Sequence, residues 1–182
     1  MSSFIIEGGK RLSGEVIPQG AKNEALQILC AVLLTPEPVT ISNLPDIVDV
    51  NKLIDLLASM GVKIQRKGPG AYRFQADDVN LDYFSTEEFR QKGGSLRGST
   101  MILGPLLARF GVGALPKPGG DKIGRRRMDT HFIGFEALGA TFTYDGKTGF
   151  FQAGAPNGLK GANMLLDEAS VTGTANIVMA AC

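Results

Sequence analysis

Apolar and polar positions along the chain follow two rhythms, and the same succession of rhythms recurs. Leu53-Ile54-Asp55-Leu56-Leu57-Ala58-Ser59-Met60 places apolar residues at helical spacing, meets Gly61, and passes into Val62-Lys63-Ile64, which alternates as a strand does. Phe132 to Leu138 has the same spacing, meets Gly139, and passes into Ala140-Thr141-Phe142. A turn signal follows each: Gly68-Pro69-Gly70 in the first copy, Asp145-Gly146-Lys147 in the second. Asp-Gly between alternating segments is hairpin chemistry. Another strand closes each copy, Tyr72 to Gln75 or Gly149 to Gln152. A second pattern opens a copy. Leu12 to Ile17 reads as a short strand, followed by a polar turn and an apolar helix from Asn23 to Leu34; Leu159 to Leu166, a polar turn and Thr174 to Cys182 repeat it.

The repeating unit is therefore strand–helix–strand–helix–strand–strand. One full unit runs from about Glu15 to Gln75. A second, with its lead strand near Asp82 to Phe84, runs to about Gln152. A third starts near Gly161 and stops inside its first helix. This is an α/β (α+β) chain built of repeats, the last one incomplete. The end, Ile177-Val178-Met179-Ala180-Ala181-Cys182, has no glycine stop and no basic last turn. An apolar helix ending in this way predicts either a piece of a longer protein or self-association through the uncovered face.

Composition narrows the classes. The chain has 182 residues, 43% of them hydrophobic, enough for a substantial core. A net charge of +1 gives no case for a nucleic-acid partner. Cys30 and Cys182 are too few and too far apart for a disulfide framework, which fits a reducing compartment. The first residues lack a signal-peptide pattern, and no apolar run reaches membrane-spanning length. The chain reads as soluble and cytoplasmic, with no membrane partner. Cys30, among Leu29, Ala31 and Val32, reads as a buried small hydrophobe; Met101, Met164 and Met179 read as core. His131, the sole histidine, is assigned to packing or capping, because no catalytic partner for it is legible.

Two features suggest chemistry. The loop Pro118-Gly119-Gly120-Asp121-Lys122-Ile123-Gly124-Arg125-Arg126-Arg127 combines one carboxylate with three arginines on a glycine-rich backbone. On composition alone it reads as a solvated turn. The repeats change that weighting, because they align three helix starts: Gly20-Ala21-Lys22-Asn23, Ser95-Leu96-Arg97-Gly98 and Ala169-Ser170-Val171-Thr172. A helix start carries unpaired N–H groups and partial positive charge, so Lys22 and Arg97 have the wrong sign for it. An anion held there removes the conflict; the competing reading has both side chains bending into water.

These residues resemble a family. Gly20 to Leu26, Leu96-Arg97-Gly98-Ser99 through Leu103-Gly104-Pro105-Leu106, Pro118 to Gly124, Leu159-Lys160-Gly161 and Ser170-Val171 match the UDP-N-acetylglucosamine 1-carboxyvinyltransferases in order and spacing. That family is more than twice as long, so the resemblance covers its N-terminal portion. It implies an inside-out α/β barrel, incomplete here, in which residues 1–21 pair with a second domain and residues 22–182 form part of the first. It implies transfer of the enolpyruvyl group of phosphoenolpyruvate to the sugar 3-hydroxyl of UDP-N-acetylglucosamine, the first committed step of peptidoglycan synthesis. The transfer needs no metal or other cofactor, and a chain of this length is inactive alone.

The same resemblance implies roles. Asp121 stands where many members have a cysteine general acid, the target of the epoxide fosfomycin. Lys22, Asn23 and Arg126 fall on phosphoenolpyruvate contacts. Arg97, the stretch Arg127-Met128-Asp129-Thr130, and Glu168-Ala169-Ser170-Val171 fall on UDP-N-acetylglucosamine contacts. Arg127 replaces a usual proline and Glu168 a frequent lysine. Alternatives are a 5-enolpyruvylshikimate-3-phosphate synthase, which shares the chemistry but opens with a Gly-Asp-Lys-Ser type start, an RNA 3'-phosphate cyclase, for which His131 is poorly placed, and a non-catalytic interaction module.

Overall fold

The computed structural model describes residues 3–119, 127–147 and 149–182. Helix α1 (Lys22–Ala31) tightens into a 3-10 turn over Val32–Leu34 and leads to strand β1 (Val39–Ile41), helix α2 (Val48–Ser59) and the hairpin β2 (Lys63–Gly68) and β3 (Ala71–Gln75). After a 3-10 turn at Leu81–Ser85 come α3 (Glu87–Gly94), a 3-10 turn at Arg97–Ile102, α4 (Leu103–Phe110) and β4 (Val112–Pro116). The second hairpin is preceded by α5 (Asp129–Ala137) and consists of β5 (Thr141–Asp145) and β6 (Phe150–Gly154); α6 (Val171–Ala180) ends the chain.

The strands form two antiparallel three-stranded sheets of the same design, β1-β3-β2 and β4-β6-β5. In each, the last strand of the repeat lies in the middle and pairs with both others. The strand between the two helices of each unit, which the repeat requires, is thus β1 in one copy and β4 in the other. The turn Asp145-Gly146-Lys147 does connect a hairpin, with the Asp145 carboxylate accepting from the Lys147 N–H at 2.9 Å.

The helix stops also match. Gly61 (φ +97°) and Gly139 (φ +94°) take the left-handed conformation that a β-carbon disfavours. It lets the next N–H reach back, Val62 to the Leu57 carbonyl at 3.1 Å and Ala140 to the Phe135 carbonyl at 3.0 Å. This bond closes a helix through a left-handed residue.

The lead strands differ from the sequence reading. Residues 12–17 form no strand, and the apolar side chains around them are bare, with Leu12 93% and Val16 90% exposed. A lone strand has no partner for its backbone groups and is not stable by itself. Residues 164–166 are likewise without regular structure, and Leu165 is 96% exposed. Asp82 to Phe84 lie in a 3-10 turn instead of a strand. Asn80 caps it by accepting from the Asp82 N–H at 3.0 Å, and Tyr83 and Phe84 turn inward against Phe89 of α3. Three buried aromatic rings, at 5.1–5.7 Å between centroids, outweigh extended pairing there.

The larger core joins α1, α2 and the first sheet to α3 and part of α4, through Leu29, Leu33, Leu53, Leu57 and Phe74. A second core lies under the β4-β6-β5 sheet, around Leu103, Leu115 and Phe135. Cys30 is fully buried, and burial pushes its thiol pKa well up, so it is an inert core group. Met101 and Met179 are also core. Helix α6 packs against both α4 and α5. Ile177 lies against Gly134, where a β-carbon would overlap its side chain. The uncovered apolar face at the chain's end is therefore narrower than the sequence suggests: Met179 is buried, Ile177 is half-buried, and Val178 is exposed. No helix among the described residues is long and apolar enough to cross a membrane.

Candidate functional site

The aligned helix starts are brought into one region. Helix α1, the Arg97–Ile102 turn and α6 pack against one another. Gly98 lies over Leu26, one helical turn beyond Lys22. Lys22 and Asn23 are exposed at the opening of α1, and Lys22 forms an exposed ion pair with Asp49 of α2 at 3.2 Å. Asp49 thereby eases the conflict between a lysine and the helix dipole.

Arg97, half-buried, donates to the Arg127 backbone carbonyl at 3.0 Å. Arg127 in turn holds the acidic groups around it. Its Nε reaches both Asp129 carboxylate oxygens, at 2.9 and 3.0 Å, and its guanidinium also meets Asp167 and Glu168, the latter at 3.4 Å. The hydrogen bonds from Arg127 hold the Asp129 carboxyl below the usual range, and those to Asp129 and Asp167 push the Arg127 pKa further up. Thus Arg127 ties the start of α5 to the segment that leads into α6.

Ser170 caps α6 by accepting from the Gly173 N–H at 3.0 Å. Thr130 is buried close to Gly173, and Val171 is exposed on the first turn. Met128 is half-buried, packed on the second core, and Ala169 is exposed. Arg97, Arg127, Asp129, Thr130, Glu168 and Ser170 therefore form one contiguous cluster, which Lys22 and Asn23 adjoin across Leu26 and Gly98. Asp121 and Arg126 lie outside the described residues.

His131 is buried, as its assignment to packing implies, but its polar partners are not legible in the sequence. It is only 3% exposed, with Nδ1 at 3.1 Å from Asn176 Nδ2 and Nε2 at 3.4 Å from Thr172 Oγ1. Burial, with the positive charge of Arg97, lowers its pKa to about 4, so the ring is neutral near pH 7.

A model of the EPSP synthase (3-phosphoshikimate 1-carboxyvinyltransferase) family matches residues 6–182. The chain belongs to this family. It is 60% identical over 181 residues to a UDP-N-acetylglucosamine 1-carboxyvinyltransferase of Bacteroides fragilis and 58% identical to one of Porphyromonas gingivalis, covering 100% of this chain and 42% of each relative. The chain thus spans less than half the length of the curated relatives it matches. Among solved structures it is similar to the enolpyruvyl transferase NikO of Streptomyces tendae, with a TM-score of 0.75 at 22% identity over 95% of this chain and 39% of that one. EPSP synthase of Acinetobacter baumannii gives a TM-score of 0.67 at 16% identity over 92% of this chain and 37% of that one. The fold is the enolpyruvyl-transferase fold, present as two separate sheets among the described residues and not as a closed barrel.

Arg127 and Glu168, two of the positions at which the sequence departs from the pattern it resembles, face each other as an ion pair.

Proposed function

We propose that this chain is the N-terminal part of a UDP-N-acetylglucosamine 1-carboxyvinyltransferase. That enzyme transfers the enolpyruvyl group of phosphoenolpyruvate to the sugar 3-hydroxyl, with release of phosphate. The observation that carries the reading is 60% identity, along the whole chain, to relatives of that name. The convergence of the α1, Arg97 and α6 starts agrees with it, because such a region suits a ligand carrying several anionic groups. In this reading Lys22, Asn23 and Arg126 hold phosphoenolpyruvate. Arg97, Arg127 to Thr130 and Glu168 to Val171 hold the sugar nucleotide. Positioned cations and helix N–H groups stabilise the charge that builds up during addition and elimination. Residues 1–21 pair with a second domain, which their bare Phe4, Ile5, Ile6, Leu12, Val16 and Ile17 favour. The protein would act in the cytoplasm, where its nucleotide substrate is.

Asp121 is assigned as the general acid that protonates the methylene carbon. A carboxyl can donate a proton near neutral pH only where it is desolvated, which closure over a substrate can provide. A carboxylate is a much weaker nucleophile than a thiolate towards an epoxide. The full-length protein should accordingly resist fosfomycin, and Asp121→Cys should sensitise it.

The test supplies the full-length protein with phosphoenolpyruvate and either UDP-N-acetylglucosamine or shikimate 3-phosphate. Phosphate release with the sugar nucleotide alone supports the proposal; release with shikimate 3-phosphate overturns it in favour of the sister reaction. The 182-residue chain by itself should release none. Asp121→Asn should lose most turnover yet bind the sugar nucleotide, and unchanged turnover would remove Asp121 from the mechanism.

A further inference from the structure

The segment from Arg97 to Phe110 is not one continuous helix. It runs as a 3-10 turn to Ile102 and becomes α-helical from Leu103. In an unbroken α-helix the Gly104 N–H would donate to the Thr100 carbonyl. Here the Thr100 carbonyl accepts from Leu103, three residues on, and the Gly104 N–H turns elsewhere. Both groups meet the side chain of Asn176, on α6. Asn176 Oδ1 accepts from the Gly104 N–H at 2.8 Å, and Nδ2 donates to the Thr100 carbonyl at 3.0 Å.

We propose that Asn176 is a positioning residue for substrate binding: its carboxamide splints the break between Thr100 and Gly104 and so fixes the turn that presents Arg97. Pro105 has no N–H for the Met101 carbonyl and so interrupts the ladder here, and a side chain inserted into a ladder holds such a break open. Asn176 is fully buried, and Gly104 has no β-carbon to keep it out; one there would overlap both the backbone carbonyl and the Oδ1 of Asn176.

The geometry also fixes the orientation of the amide. A backbone N–H only donates and a carbonyl only accepts, so Oδ1 must face Gly104 and Nδ2 must face Thr100. The second Nδ2 hydrogen then points to His131 Nδ1, which has to accept. The ring proton therefore sits on Nε2 and is offered to Thr172 Oγ1 on the first turn of α6. His131 is the backstop of the splint: a proton on Nδ1 would oppose the amide and force it to let go of one backbone partner. The relay joins α5, α6 and the Arg97 turn, three parts of the proposed sugar-nucleotide site, and its link to catalysis rests on that reading.

His131 is the sole histidine, so nitrogen NMR of this chain reports on it without ambiguity. At pH about 7 the ring should show a protonated Nε2 and a bare Nδ1. Asn176→Asp retains the acceptor for Gly104 but has no hydrogen for Nδ1, so the ring should take up a proton and become imidazolium. In the full-length protein the same substitution should raise the KM for UDP-N-acetylglucosamine by about tenfold, the scale of one lost contact to a charged group. The KM for phosphoenolpyruvate should change much less. A protonated Nδ1 in the unsubstituted chain, or a ring spectrum unaltered by Asn176→Asp, overturns the splint. A ring that behaves as described, with an unchanged sugar-nucleotide KM, overturns the positioning role. The NMR measurement needs no substrate, so it stands if the assigned reaction fails, and the sister substrate identifies that failure separately.

Discussion

The first repeat and the second start their leading helices in opposite ways. Helix α1 is regular from Lys22, and its cation is held at the surface by an exposed partner, Asp49. The Arg97 segment starts as a tight turn, and its geometry is set by buried polar groups from another helix. The hairpins, sheet order and glycine stops that follow are alike in both. The fold is thus repeated in its sheets and helix stops and differs where the leading helices begin. A surface pair tolerates movement, whereas a satisfied buried network admits one arrangement.

The strongest way to break the comparison is through the cores. Leu57 and Phe135 hold equivalent places, each giving the carbonyl that closes its helix, and both are fully buried. Leu57→Ala should cost about 2–5 kcal/mol and Phe135→Ala about 3–5 kcal/mol. Guanidinium unfolding of each variant measures this. If the repeats fold as one cooperative unit, both variants shift a single transition. If Phe135→Ala splits the curve and Leu57→Ala does not, the two cores are energetically separate.

Acid should separate the repeats next. The first has no histidine, while the second has His131, whose pKa falls from near 6.5 to about 4 on folding. Between those values the unfolded chain binds the proton and the folded one does not, so stability rises with pH across the window. It should be fully present above about pH 6.5 and decline by on the order of 2–3 kcal/mol towards pH 4. His131→Gln should flatten that slope in denaturation midpoints. An unchanged slope across that window would remove His131 as its source, because Asp129 and Asp77, whose pKa values are lowered by Arg127 and Lys63, lose their contribution only at lower pH, below the ordinary carboxylate value.

These regions also differ in how far the sequence discloses them. Gly61, Gly139 and the Asp145-Gly146 turn act through neighbours within five residues, so their roles are legible without a structure. The same pattern misplaces the lead strands, because a strand needs a partner and residues 12–17 have none among the described residues. Residues 82–84 went the other way, drawn inward by Phe89. The Arg97 turn is only half legible: Pro105, with no N–H for the Met101 carbonyl, marks a break in the sequence, but the side chain that fills it, Asn176, is 76 positions from Thr100. The nearness of the Lys22, Arg97 and Ser170 helix starts follows from aligning the repeats, whereas Arg127 enters only through the family resemblance and its pairing with Glu168 emerges only in three dimensions. The burial of His131 agrees with its assignment to packing, but its partners Thr172 and Asn176 are 41 and 45 positions away and could not be read from the sequence.

The matched glycines test the scaffold more gently. Alanine at either position must enter the left-handed region, at roughly 1–2 kcal/mol. At Gly139 nothing lies within reach of the added methyl, so Gly139→Ala should cost only that. At Gly61 the methyl would overlap the Asp78 carbonyl, so Gly61→Ala should be the more destabilising. Equal losses in thermal or denaturant unfolding would mean that the Asp77–Asn80 loop yields freely.

The smallest effect on folding is expected at Lys22, where structural and functional roles separate most clearly. Its pair with Asp49 is exposed on both sides, and such pairs contribute under about 1 kcal/mol. Lys22→Met also removes a cation from a helix start, a small favourable change that offsets part of the loss. Denaturant midpoints of this chain should therefore hardly move. If Lys22 anchors phosphoenolpyruvate in the full-length protein, the same substitution should reduce kcat/KM far beyond anything its stability explains, and the deficit should lie with phosphoenolpyruvate and not with the sugar nucleotide. Asp49→Asn serves as the control, because it removes the ion pair but leaves the lysine. Should the two variants lose activity equally, the pair itself would be the functional unit. A loss confined to Lys22→Met assigns the cation to the substrate and makes Asp49 its resting partner.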